Sequence, residues 1–222
     1  YYVKPNSVID QEAYARGTSV YLVDRVIPML PTVLSNGICS LNAGEDRYSM
    51  TCVMEIDKEG RVVKSDIGPA VIQVKRRCNY KEIKKALLDD IIPDDLQAFM
   101  PMLRNLQELA QILKQMRLRR GAIDFDFPEY KIILDPEGMP LRLEKRERTI
   151  AEQIVEESML IANETVASYL RDSKNPSVYR IHEVPEPERL EMMRTVLSTF
   201  SLPVPTGDEV KPADFQKLLT LS

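Results

Sequence analysis

From Leu96 to Arg119 the apolar residues Phe99, Leu103, Leu106, Ala110, Leu113 and Met116 recur every three or four positions. Only a helix, with about 3.6 residues per turn, gathers them into one stripe. The result is a long amphipathic helix. Pro101 falls near the first turn, where its missing N–H is not needed. Gly121 ends the helix, and Arg117, Arg119 and Arg120 near its carboxyl end complement the helix dipole.

A second long helix is predicted over Ile150 to Leu170, and a third over the stretch from Pro187, with Leu190, Met193, Leu197 and Phe200 as its stripe. Another helix starts at Pro212, after a loop holding Thr206-Gly207-Asp208. Two shorter helices precede these. Asp10 to Arg16 is capped by Asp10 and stopped by Gly17, and Asn79 caps "YKEIKKALLDD", where Ile83 and Leu87 share a stripe. Asn36-Gly37 is a turn signal. Strands are expected at Tyr48 to Ile56, then after "DKEG" at Arg61 to Ile67 and Ala70 to Val74, with a hairpin around "DPEG" within 122–143. The expected fold is α+β: a mixed, largely antiparallel sheet with long crossing helices, continuous over residues 1–222.

A carboxylate stands out on the 150–170 helix. At about 100° per residue, Met159, Leu160, Asn163, Ala167 and Leu170 all fall within about 60° of Glu156. Glu156 and Asn163 therefore share the broad apolar face, while Glu157, Glu164 and Thr165 fall outside it. A buried bare carboxylate is costly, so Glu156 meets either a structural arginine or a polar cavity. In a cavity it accepts a sugar hydroxyl or helps hold metal-bound water, and Asn163 donates and accepts at the same wall.

The aromatic residues allow two readings as well. Phe125 and Phe127 lie two apart, so on an extended chain both rings point away from Asp124 and Asp126. They are hairpin core, or a stacking platform giving about 1 to 3 kcal/mol per base. Tyr21 and Tyr80 are half-buried rings or further walls of such a platform. Formal net charge is -4, against a non-specific duplex binder. Yet Lys75, Arg76, Arg77, Lys81, Lys84 and Lys85 cluster, as do Lys114, Arg117, Arg119 and Arg120. These are solvated helix faces or the lining of a positive channel.

Other classes leave little trace. His182 is the single histidine, which disfavours a His-based triad or zinc cluster. Cys39, Cys52 and Cys78 have no metal-ligand spacing and suit reduced thiols, hence a cytoplasmic setting. "NAGEDR" lacks the glycines and Lys-Ser of a phosphate loop. No run reaches the roughly eighteen apolar residues of a membrane span, so no membrane partner is expected.

Three ordered blocks carry a resemblance: "DQEAYARGTSVYLVDRVIPMLPTVLSNGICSLNAGEDRYSM", "GAIDFDFPE" and "IAEQIVEESMLIANETVASYL". They are similar to the catalytic (RNB) domain of the ribonuclease II and ribonuclease R family. "NPSVYRIHEVPEPERLE" is closer to the ribonuclease R branch. The resemblance implies processive hydrolysis of single-stranded RNA from a free 3′ end, releasing nucleoside 5′-monophosphates by two-metal chemistry with Mg2+. It implies that Tyr21 packs near the RNA 3′ end, with Phe125, rather than Phe127, as its partner in clamping terminal bases. Tyr80 resembles the tyrosine that sets final product size, and Glu156 the glutamate beside the terminal nucleotide. Arg76, Arg77 and Asn163 are further RNA-binding candidates.

The family's metal-binding aspartates belong to an aspartate-rich block expected upstream of residue 1, so no metal ligand is assigned to these residues. The later arginine-bearing segment and the flanking cold-shock and S1-type modules are not found either. The chain opens on Tyr1-Tyr2 rather than methionine. The expectation is a central portion of an exoribonuclease catalytic domain, inactive alone and monomeric when full length. The alternative is a noncatalytic RNA-binding or regulatory protein on the same scaffold; a purely structural α+β domain would need the matching blocks to reflect fold alone.

Overall fold

The computed structural model describes residues 2–124, 127–181, 183–203 and 210–221, with the backbone alone for 219–221. Its first helix, α1, runs Val8–Arg16. The cap is Ser7, not Asp10: the Ser7 hydroxyl accepts the Asp10 N–H at 3.3 Å. Asp10 sits inside the first turn, where its carboxylate takes the Asn6 N–H at 2.7 Å and faces the positive helix end. Gly17 closes the helix at φ 68 and donates its N–H to the Ala13 carbonyl. Then come β1 (Val20–Tyr21) and β2 (Val26–Ile27), paired antiparallel. Asn36-Gly37 lies in a wide helical turn over Val33–Ile38, broken at Gly37.

β3 (Asp46–Ile56) and β4 (Val62–Gln73) form a long antiparallel ribbon, Tyr48 opposite Val71. The expected break between Ile67 and Ala70 does not occur; Gly68 and Pro69 pair with Thr51 and Met50. In a two-stranded ribbon half the N–H groups face outward, so a proline facing that way removes no ladder bond. "DKEG" makes the turn, with Gly60 at φ 87 and the Asp57 carboxylate accepting the Glu59 and Arg61 N–H groups.

α2 (Tyr80–Leu88) starts from Asn79, whose side chain accepts the Glu82 N–H at 3.0 Å. The long helix then divides. Asp94–Phe99 is a tight 3-10 turn, and α3 runs Met100–Arg119. Pro101 explains the division: without an N–H it cannot bond the Gln97 carbonyl, and its ring crowds it. β5 (Glu129–Leu134) and β6 (Pro140–Arg146) pair around the "DPEG" turn, starting and ending later than expected. α4 (Ile150–Asp172) is capped by Thr149, with Glu152 returning to the Thr149 N–H at 2.9 Å. α5 (Pro187–Thr199) and α6 (Pro212–Leu221) follow.

The three ribbons and six helices realise the expected mix of helix and antiparallel strand, as separate two-stranded sheets among the described residues. The core joins α2, α3 and α4 through Ile83, Ala86, Leu96, Met100, Leu103 and Ala151. Among the described residues no helix is long and apolar enough to cross a membrane.

α4 corrects one expectation. Its buried residues are Ala151, Ile154, Glu157 and Ile161, whereas Asn163 is exposed and Glu156 half-buried. The helix carries apolar residues on two faces. Packing against α3 selected the Ile154–Ile161 face and left Met159 56% exposed.

Candidate functional site

Where α4 begins, beside the base of the β5–β6 ribbon, an open cavity of about 560 Å³ is lined by Glu156, Arg148, Asp124, Phe127, Arg117 and Arg146 among others. Each wall has a local cause. The Thr149 capping box fixes the first turn of α4 and so the backbone of Arg148 just before it. Gly121, at φ 94, ends α3 and turns the chain so that Asp124 comes back against Lys114. β6 brings Arg146 in from the opposite side.

Most charges at this cavity are paired. Arg148 donates to Glu156 at 2.7 Å and to Asp124 at 2.9 Å. Lys114 stands 3.3 Å from the other Asp124 oxygen. Arg117 lies 4.0 Å from Glu156 and makes its closer pair with Glu157 at 2.8 Å. Burial alone would raise the Asp124 pKa, but the hydrogen bonds from Arg148 and Lys114 outweigh it and hold the carboxyl below its ordinary value. Those from Asp124 and Glu156 hold the Arg148 guanidinium above its ordinary range, against burial. Arg117, Lys145, Arg146 and Arg148 line the cavity against Asp124, Glu129, Glu152 and Glu156, so the wall is not a bare phosphate trap. What it presents is a carboxylate at Glu156 held by Arg148 and still 34% exposed at its side chain, with acceptor capacity left over.

The residues singled out in the sequence do not all gather here. Glu156 lines the cavity; Tyr21, Tyr80, Asn163, Arg76 and Arg77 do not. Tyr21 on β1 is 79% exposed, and Tyr80 opens α2 at 43%. Arg76 is not a free channel cation: it bridges Glu82 at 2.6 Å and Asp95 at 2.8 Å. Arg77 is exposed and has no partner among the described residues. Phe125 lies outside the described residues, as do His182 and Thr206–Asp208. Phe127 is on the cavity wall and 74% exposed, which removes the hairpin-core reading for that ring.

Sequence reasoning missed Arg148 and placed Asp124 only on the side of the chain opposite the Phe125 and Phe127 rings. The available signal was "RTIAE", an arginine directly before a Thr-x-x-Glu capping box, which sets it beside the first turns of a helix. Glu157 was also missed; no periodicity places a glutamate in an apolar seam. Among the described residues no group of three or more His, Cys, Asp or Glu could hold a metal ion. The cavity acids Asp124 and Glu156 have an arginine between them. This donor set does not fit a magnesium centre.

Comparison with known proteins accords with this architecture. The RNB domain family model matches residues 1–221. Ribonuclease R of Thermotoga maritima is 44% identical over 99% of this chain, which spans 31% of that protein. Ribonuclease R of Escherichia coli is 37% identical over 99% of the chain, which spans 27% of it. The structure of Mycoplasma genitalium RNase R in complex with ribose methylated single-stranded RNA superposes at a TM-score of 0.93, with 31% identity, over 99% of this chain and 35% of that one. Yeast Ssd1, a pseudonuclease, shares the fold at a TM-score of 0.66 and 17% identity. The chain thus spans about a third of the relatives it matches, and along nearly all its own length it belongs to the RNB domain family, with ribonuclease R among its relatives.

Proposed function

We propose that the protein containing these residues is a 3′-to-5′ exoribonuclease, hydrolysing single-stranded RNA with a free 3′ end to nucleoside 5′-monophosphates. In it this segment supplies walls of the substrate passage. The observation that carries the reading is the similarity to ribonuclease R along almost the whole chain, with Glu156 open to a cavity beside Phe127. In this reading Glu156 accepts a hydroxyl of the terminal nucleotide, Tyr21 and Phe125 hold the last bases, and Tyr80 limits how short the product becomes. Asn163 and Arg77 are further RNA contacts in this reading. Magnesium chemistry, drawn from aspartates expected upstream of residue 1, belongs to the proposal, as do a monomeric state and a cytoplasmic setting. The 222-residue segment by itself is proposed to be inactive.

The test uses the complete protein and a uniformly labelled single-stranded RNA. Release of 5′-monophosphates from the 3′ end, abolished by EDTA and restored by Mg2+, supports the reading. Glu156→Ala should then lower kcat far more than RNA affinity, and Tyr80→Ala should lengthen the end product. A complete protein that binds the RNA and releases no nucleotide returns the noncatalytic alternative.

A further inference from the structure

We propose that Arg148 is a positioning residue for Glu156, holding that carboxylate and the Asp124 segment together as one cavity wall; the inference rests on the nuclease reading and deepens it. A guanidinium is planar, with five N–H donors in a fixed fork. Here Nε and Nη2 meet the two Glu156 oxygens at 3.1 Å and 2.7 Å, while Nη1 turns to Asp124 Oδ1 at 2.9 Å. One side chain thereby joins α4 to the chain segment between α3 and β5. Its neighbours cannot substitute for it. Arg117 is committed to Glu157 and stays 4.0 Å from Glu156, and Lys114 pairs with Asp124 alone among the described residues.

A glutamate on an open helix face samples several rotamers, and fixing it has an entropic cost. The Arg148 fork meets that cost before substrate arrives, and the capping box immobilises the backbone that carries the fork. A carboxylate has about four acceptor directions, so the bonds to Arg148 leave capacity for an incoming hydroxyl. The charge balance excludes a second role. Because Asp124 and Glu156 already neutralise Arg148, it is no phosphate anchor, and its removal should act on kcat and not on KM.

The experiment compares Arg148→Met, Arg148→Lys, Glu156→Gln and the Arg148→Met/Glu156→Gln double variant in the complete protein, by steady-state release of nucleotides from single-stranded RNA. Arg148→Met should lower kcat about 10- to 100-fold with little change in KM. Arg148→Lys should recover only part, since an ammonium lacks the fork. The double variant should lose no more than Glu156→Gln alone. Additive losses, a raised KM with unchanged kcat, or a lowered Tm with full activity each overturn the assignment. A crystal structure of Arg148→Met separates this inference from the nuclease reading. A Glu156 carboxylate that keeps its place overturns the inference whether or not the wild type degrades RNA. A displaced carboxylate supports it, even where an inactive wild type has removed the nuclease reading.

Discussion

Arg117 on α3 and Glu157 on α4, separated by 40 residues of chain, meet at 2.8 Å in the seam between the two long helices. Glu157 is 2% exposed, a charge set among Ala151, Ile154 and Ile161. Such a group is tolerated only when paired, and the guanidinium, largely buried itself, provides the pair. Glu157→Ala should therefore lower the unfolding free energy by about 3 kcal/mol, because it strands Arg117. Arg117→Leu/Glu157→Leu should recover most of that loss. Urea unfolding of the complete protein measures both, and a double variant no better than the single one would contradict the account.

Asp124 gives a pH signature. Its folded pKa lies below the ordinary 3.8 because the hydrogen bonds from Arg148 and Lys114 exceed the effect of burial. The stability it contributes is therefore present above 3.8 and is lost as pH falls through the folded value. Asp124→Asn should be less stable than wild type at neutral pH, and the gap should close on acidification below the ordinary value. A gap that stays constant down to the acid transition would remove Asp124 from the ion network.

Gly121 has φ 94, and a Cβ there would stand 3.1 Å from the Ala213 Cβ and 3.2 Å from the Ala213 nitrogen. Strain and a clash with α6 combine, so Gly121→Ala should destabilise by more than about 1 kcal/mol. Gly17, at φ 68 with nothing within 4 Å of its added Cβ, bears the strain alone. Thermal unfolding of the two variants should rank Gly121→Ala below Gly17→Ala.

Stacking on the ring at Phe125 should give about 1 to 3 kcal/mol per base. In the complete protein Phe125→Ala should speed release of a short single-stranded RNA, while Phe127→Ala changes it little. Stopped-flow dissociation decides between them. The reverse ranking would transfer the role to Phe127, whose ring already stands open at the cavity.

The adjacent arginines Arg76 and Arg77 should behave differently. The Glu82 and Asp95 carboxylates hold Arg76 charged above its ordinary range, in a bridge from the end of β4 to α2 and the following 3-10 turn. Arg76→Ala should lower Tm and leave the salt dependence of RNA binding alone. Arg77→Ala should leave Tm unchanged and reduce the slope of log affinity on log salt by roughly 0.7, if Arg77 contacts a phosphate. Equal slopes for wild type and Arg77→Ala would return it to the solvated surface.

The sequence by itself determined each element whose cause is local. The 3.6-residue period of Leu103, Ala110 and Leu113, the Asn79 cap and the turns at Gly60 and Gly138 act within a few residues, and each of these features forms where its pattern places it, although element ends shift. Local chemistry even contained the Thr149 capping box that anchors the cavity. Tertiary structure decided the rest. α4 has two apolar faces, and only the α3 partner selected Ile154 and Ile161 over Met159 and placed Glu157 inside. Arg148 joins Asp124, 24 residues before it, to Glu156, eight residues after it. A hydrogen bond depends on distance in space, and periodicity along a chain carries no information about which distant carboxylate an arginine will meet.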